Sequence, residues 1–278
     1  MISVVLPVRD GMPYLEDQLR ALDAQNCAVP WEVLIAENGS TDGSKELAAS
    51  WVEHHDRFRL VDASTVHGAP AARNVAVEVA KGDMLAFCDA DDVVHAGWIT
   101  GCVAALEKAD IVAGRFDFWS LNGLPASSTM PAAVRQLGFL PAGLGANLAV
   151  RRSAFDHVQG FTEEHLPGED IDLCWRLQLQ GFRFDIAESA VVAKRERAEF
   201  KTVFRQAYGY GLCGPVLHLR YRSAGARRDL YGAFRSWVWL AFSLPLLLSS
   251  ERRRVWARTA GMRLGRIDGS LRERVFFP

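Results

Sequence analysis

Apolar residues recur along the first ninety positions in two alternating rhythms. Ile2–Val8 is a largely apolar run of strand length. Leu15, Leu19 and Leu22 then repeat at helical spacing across Met12–Asn26, with Pro13 in the first turn. The alternation continues with a strand at Glu32–Ala36, a helix at Lys45–His54 and a short strand at Phe58–Val61. A helix at Ala69–Ala80 ends at Lys81-Gly82, and a strand follows at Met84–Cys88. This order predicts an α/β fold with right-handed crossovers and a mostly parallel central sheet flanked by helices. Such sheets bind ligands beyond the carboxyl ends of their strands. Three consecutive strand ends are polar here: Arg9-Asp10, Glu37-Asn38 and Asp89-Ala90-Asp91-Asp92.

The Asp89-Ala90-Asp91 run has the chemistry of a hard-cation site. Two carboxylates at a strand end suit Mg²⁺ or Mn²⁺, which keep water and phosphate oxygens in their coordination sphere. The same run also fits an acidic turn or a helix cap. A second carboxylate pair, Glu169-Asp170, opens a segment containing Leu173, Trp175, Leu177 and Leu179. At a helix N-terminus the dipole and free N–H groups favour the ionised carboxylate, the form a general base requires. Simple capping explains that pair equally well from the residues alone. Gly209–Gly214 fits a GxGxxG pattern but follows a helical segment, Glu199–Tyr208, so a dinucleotide site is not expected there. Asn38-Gly39-Ser40 is a glycosylation sequon by pattern only, and no GxSxG, P-loop or Cys–His signature is present.

Five segments in order, SVVLPVRDG, VLIAENGSTDGS, GAPAARNVAVEVAKGDMLAFCDADD, GANLAVRRSAFDHVQGF and GEDIDLCWRLQLQGF, resemble an inverting family 2 glycosyltransferase of the GT-A fold over residues 1 to about 205. The resemblance implies a nucleotide-binding half over 1–115 and an acceptor and catalytic half over 116–205. It implies transfer from a nucleotide-diphosphate sugar, usually a UDP-sugar, to a nucleophilic acceptor with inversion. Pro7, Val8, Arg9, Glu37, Asn38, Arg73 and Asn74 then match nucleotide-pocket positions. Asp89 matches a ribose contact, with Ala90 beside it, and Asp91 the metal ligand. Gly160 and Phe161 match a tight segment near the donor sugar, and Gly145-Ala146-Asn147 is a further sugar or acceptor candidate. Asp170 matches the base and Glu169 a residue that orients acceptor or sugar. Many members place a metal-binding His shortly after the next strand, Ser189–Ala193, where this chain has Lys194-Arg195. An ammonium has no lone pair to offer a metal. Either waters and phosphate complete the sphere, or Lys194 or Arg195 clamps the diphosphate directly. A decayed nucleotide-binding scaffold is the alternative, and a nucleotidyltransferase would want a Gly-rich loop that Pro7–Gly11 lacks.

Charge separates the two parts of the chain. Residues 1–193 hold 14 basic and 27 acidic side chains, and residues 194–278 hold 18 and 6, so a net of -13 meets a net of +12. A helical extension over 206–278 with this balance is expected to meet something anionic. No nucleic-acid motif accompanies it. Within it, Trp237–Leu248 is apolar except for Ser243, too short for a bilayer span and flanked by Arg235 and Arg252–Arg254. Residues 230–256 therefore read as a peripheral membrane contact, a homodimer contact or a buried hairpin. The chain has 278 residues, 49% hydrophobic and 23% charged, which excludes a disordered or fibrous protein. Five scattered cysteines without a CxxC pair argue against structural zinc and disulfides. With no expected signal peptide at the N-terminus, a cytoplasmic setting is anticipated, at most peripheral on the inner face of the membrane.

Overall fold

The computed structural model describes residues 1–66, 68–122, 129–163, 168–197, 199–244 and 249–278. The first stretch alternates β1 (Ile2–Val8), α1 (Leu15–Asp23), β2 (Trp31–Glu37), α2 (Ser44–His54), β3 (Phe58–Asp62), α3 (Ala69–Glu78) and β4 (Met84–Cys88). There follow β5 (Val93–Val94), α4 (Trp98–Leu106), β6 (Ile111–Asp117), β7 (Met130–Pro131), β8 (Ala133–Arg135), β9 (Pro141–Gly143) and β10 (Asn147–Arg151). The chain continues with α5 (Arg152–His157), α6 (Glu169–Leu179), β11 (Phe184–Ala193), α7 (Phe200–Tyr221), α8 (Leu230–Phe242) and α9 (Ser250–Arg272).

The main sheet has the order β3-β2-β1-β4-β10-β6-β11-β5, with β7 paired to β6. Strands β3, β2, β1 and β4 are parallel, as their helical crossovers require. Beyond them the sheet is mixed, because β10 runs antiparallel to both β4 and β6. β1 and β2 are buried on both faces and β4 nearly so, which explains their largely apolar runs, whereas β3 at the sheet edge is mostly half-buried. The largest fully buried side chains include Trp98, Trp175, Phe87 and Ile2.

Two compact units are present. One comprises Met1–Val134, Pro141–His165 and Glu169–Glu196, and the other Arg135–Leu140, Leu166–Gly168 and Arg197–Pro278. In the second unit α7 packs along α9. A Cβ on Gly265 would stand 2.1 Å from the Tyr208 carbonyl oxygen, and one on Gly211 would stand 2.4 Å from that of Met262. The glycine-rich run at Gly209–Gly214 therefore lies inside a helix, where Gly211 admits a neighbouring backbone. Of the apolar run Trp237–Leu248, residues 237–242 lie in α8, while 245–248 fall outside the described residues. Among the described residues no helix is long and apolar enough to cross a membrane.

Candidate active site

The ends of β1 and β2 are tied together by short polar side chains. Asp10 Oδ1 accepts the Thr41 N–H at 2.8 Å, and Ser44 Oγ accepts the Gly11 N–H at 2.9 Å. Glu37 is buried and accepts the Ser40 N–H at 2.5 Å. Its local partner is thus a backbone N–H of the loop that follows β2. Asn38 donates to the carbonyls of Ala63 at 2.7 Å and Val66 at 2.9 Å, and shapes the turn before α3. Pro7 is half-buried, Val8 is buried and Arg9 is exposed at the same strand end.

Arg73 is the hub. It lies on α3, buried, with its guanidinium 2.9 Å from Asp89 Oδ1 and 3.1 Å from Glu169 Oε1. One side chain thereby joins the end of β4 to the start of α6. Gly145 leaves room for it, since a Cβ there would stand 2.9 Å from Arg73 Nη1. Among the described residues the buried Arg73 Nε has no hydrogen-bond partner, and the guanidinium lies 5.5 Å from the Phe161 ring centroid. Burial opposes the charge on Arg73, but Asp89, Glu169 and Asp170 outweigh it and raise its pKa.

Asn74, next on the helix, makes a reciprocal pair with Phe161. Its amide donates to the Phe161 carbonyl at 2.9 Å and its oxygen accepts the Phe161 N–H at 3.0 Å. Gly160 has φ +71, and a Cβ there would meet Asn74 Oδ1 at 2.8 Å and the Phe155 ring at 2.9 Å. Glycine is required here by both conformation and space. The close approach it permits is to Asn74 and Phe155.

Asp170, at the start of α6, accepts the Gly145 N–H at 2.9 Å and the Ile171 N–H at 2.8 Å. Burial, followed by the charge of Glu169, pushes its carboxyl up to about 7 against those two bonds. The helix terminus alone predicts a fully ionised group, and desolvation reverses that. The third member of the sequence trio at 145–147 behaves differently from the expectation that it touches sugar or acceptor. Asn147 is buried and joins four elements, accepting from Trp98 Nε1 at 2.9 Å and donating to Arg115 O at 2.9 Å and Ala190 O at 3.0 Å.

Asp89, Asp91 and Asp92 bring one ligand atom each within 4.8 Å of one another. Lys194 lies among them, its Nζ 2.6 Å from Asp92 and 3.3 Å from Asp89. Arg195 donates its backbone N–H to Asp92 at 3.0 Å and its Nε–H to the Asp91 carbonyl at 3.0 Å. Burial disfavours the Lys194 ammonium, but Asp89, Asp92 and Asp91 overcome it and hold the pKa above the ordinary lysine value. Burial likewise opposes ionisation of Asp89, and Lys194 with Arg73 overcomes it, so that carboxyl sits below its ordinary value. The all-carboxylate donor set fits a hard divalent cation. Both Asp89 oxygens and both Asp92 oxygens are already engaged. Among the described residues no hydrogen bond or ion pair engages the Asp91 carboxylate. Asp92 was not singled out by spacing, although it stands in the same acidic run. Its signal is burial, which sequence alone does not display.

The family model described as Glycosyl transferase family 2 matches residues 3–158. One described as Glycosyl transferase family group 2 matches residues 85–262. The glycosyltransferase AglE of Haloferax volcanii is 27% identical over 198 residues, covering 68% of this chain and 65% of its own length. The pre-mycofactocin glycosyltransferase of Mycobacterium tuberculosis is 26% identical over 264 residues, covering 88% of this chain and 53% of its own. The chain thus spans less than two thirds of the length of either relative. Among solved structures, the mannosyltransferase PcManGT of Pyrobaculum calidifontis, in complex with GDP-Man and Mn²⁺, superposes with a TM-score of 0.66 at 18% identity, over 96% of this chain and 86% of its own. TarS 1–349 of S. aureus, in complex with UDP-GlcNAc, gives 0.54 at 15% identity, over 100% and 93%. These two similarities concern the fold, which is GT-A-like.

Proposed function

Because the chain belongs to glycosyl transferase family 2, we propose that it moves a sugar from a nucleotide-diphosphate donor to an acceptor hydroxyl or other nucleophile, with inversion. One observation carries this reading. Buried Arg73 ties the Asp89 carboxylate to Glu169, and so joins the strand end suited to a nucleotide to the helix start that presents Asp170. Donors of the same class occur in the neighbouring folds, as GDP-Man in one and UDP-GlcNAc in the other. A UDP-sugar remains the donor expected of the family resemblance.

In this reading Asp170 takes the acceptor proton. The acceptor oxygen then bonds to the anomeric carbon, and the bond from that carbon to the diphosphate oxygen breaks with its electron pair on the leaving group. A carboxyl held near 7 matches a base at neutral pH. Glu169 orients acceptor or sugar, and Arg73 keeps it in place. Pro7, Val8, Arg9, Glu37 and Asn38 shape the nucleotide end, while Asn74 fixes the Gly160–Phe161 segment beside the sugar. Asp91 would hold Mn²⁺ or Mg²⁺, which supplies charge neutralisation on the departing diphosphate. Lys194 and Arg195 add fixed positive charge at that point. Cytoplasmic residence with peripheral membrane contact through 230–256 belongs to the same reading.

The test is Asp170→Asn. It lowers kcat/KM by about a thousandfold, within the range for loss of a general base, while nucleotide affinity stays unchanged. Normal turnover in that variant would remove Asp170 from the mechanism.

A further inference from the structure

Helix α8 presents an apolar face to solvent. Leu230, Tyr231, Phe234, Val238, Ala241 and Phe242 fall on one third of its circumference at 100° per residue, and every one is exposed. Tyr231 is 72% exposed, Phe234 67% and Phe242 84%. The opposite face, with Ala233 and Leu240, is buried. The helix thus spends one apolar face on its own unit and holds a second outward. Contiguous exposed apolar surface of this kind marks an interaction site.

Charge in the segments neighbouring the face selects the partner. Residues 222–258 contain eight arginines and two acidic residues. Arg227, Arg228, Arg235, Arg252, Arg253 and Arg258 are exposed. Asp229 is occupied as the α8 cap, accepting the Gly232 N–H at 2.7 Å. Arg235 lies at the edge of the apolar stripe, over the Tyr231 ring at 5.7 Å. Aromatic and aliphatic side chains bordered by arginine match the boundary between acyl chains and anionic headgroups. Apolar surface continues in the same unit as a groove of about 610 Å³ lined by Trp237, Leu271, Arg274 and Phe276. A second copy across this helix would set one net-positive patch against another, since an isologous contact uses the same patch twice.

We propose that α8 docks this protein on an anionic lipid bilayer, its Leu230–Phe242 stripe immersed at the level of the headgroups, with Arg235 at its edge and the exposed arginines of the neighbouring segments on lipid phosphates. The proposal rests on the peripheral contact in the reading above and is independent of the transfer chemistry. It makes α8 the membrane-facing element without a span, in agreement with the lack of a spanning helix among the described residues.

The experiment is co-sedimentation of the full chain with vesicles of phosphatidylcholine alone and of phosphatidylcholine mixed with phosphatidylglycerol, at low and high salt. The wild type is expected to bind the anionic vesicles at least about tenfold more tightly than the neutral ones, and to weaken as salt screens the arginines. The double variant Phe234→Glu, Phe242→Glu changes only exposed side chains, and its melting temperature is measured alongside. It loses vesicle binding while melting as the wild type does. Equal binding to both vesicles, or unchanged binding by a folded double variant, overturns the proposal. So does a dimer seen by light scattering without lipid that the same variant splits, since the face then belongs to a second copy. Nucleotide binding is recorded on the same samples. Intact nucleotide binding without vesicle binding sinks the docking alone, whereas vesicle binding without nucleotide binding sinks the donor reading alone.

Discussion

Asp170 meets two opposing demands: the start of α6 favours its anion, and the interior favours its acid form. Desolvation wins, and the carboxyl rises to about 7. A base acts only when deprotonated. The account therefore predicts that log(kcat/KM) climbs with unit slope as pH increases toward about 7 and levels off above it. Asp170→Asn should erase that limb along with most of the activity. A flat wild-type profile between pH 5 and about 8 contradicts the assignment. Lys194 tests the second cluster. Lys194→Met leaves Asp92, which is fully buried, without its closest cation. Breaking such a pair from one side costs about 3 kcal/mol, and Asp92→Asn added to Lys194→Met should recover much of it. Urea unfolding of both variants measures the difference, and additive losses would show that the pair does not interact.

Among the elements, β1, β4 and the strand–helix alternation were readable from periodicity, because strands buried on both faces write continuous apolar runs. The reading broke where the reason for a residue lay on another element. The Glu199–Tyr208 segment continues through the glycines to Tyr221, since Gly211 and Gly214 sit inside a helix packed on α9. The partner glycines, Gly261, Gly265 and Gly269, recur every fourth residue on α9, and a Cβ on each would stand within 3 Å of an α7 carbonyl oxygen. Gly265→Ala is predicted to push the two helices apart and cost about 1–3 kcal/mol of stability. A chemical melt of the variant checks this, and an unchanged midpoint would mean that the helices are farther apart than described.

For the whole molecule, residues 1–193 are net acidic and residues 194–278 net basic, while the second compact unit comprises Arg197–Pro278 with two short segments from earlier in the chain. The candidate site was legible as polar strand ends and a capped helix start. Its wiring was not. That Arg73 reaches both Asp89 and Glu169, that Asp92 is held by Lys194 and Arg195, and that Asn147 faces the sheet interior all depend on contacts 16 to 103 residues apart along the chain. Local pattern cannot register such contacts. The central claim is that this wiring serves a nucleotide-diphosphate donor. It is tested most directly by the thermal shift of the wild type with UDP, GDP, CDP and dTDP, each with and without Mn²⁺, beside Asp91→Ala. The account predicts a shift for one nucleotide that Mn²⁺ enlarges in the wild type but not in Asp91→Ala. No shift for any nucleotide, with or without metal, would contradict it.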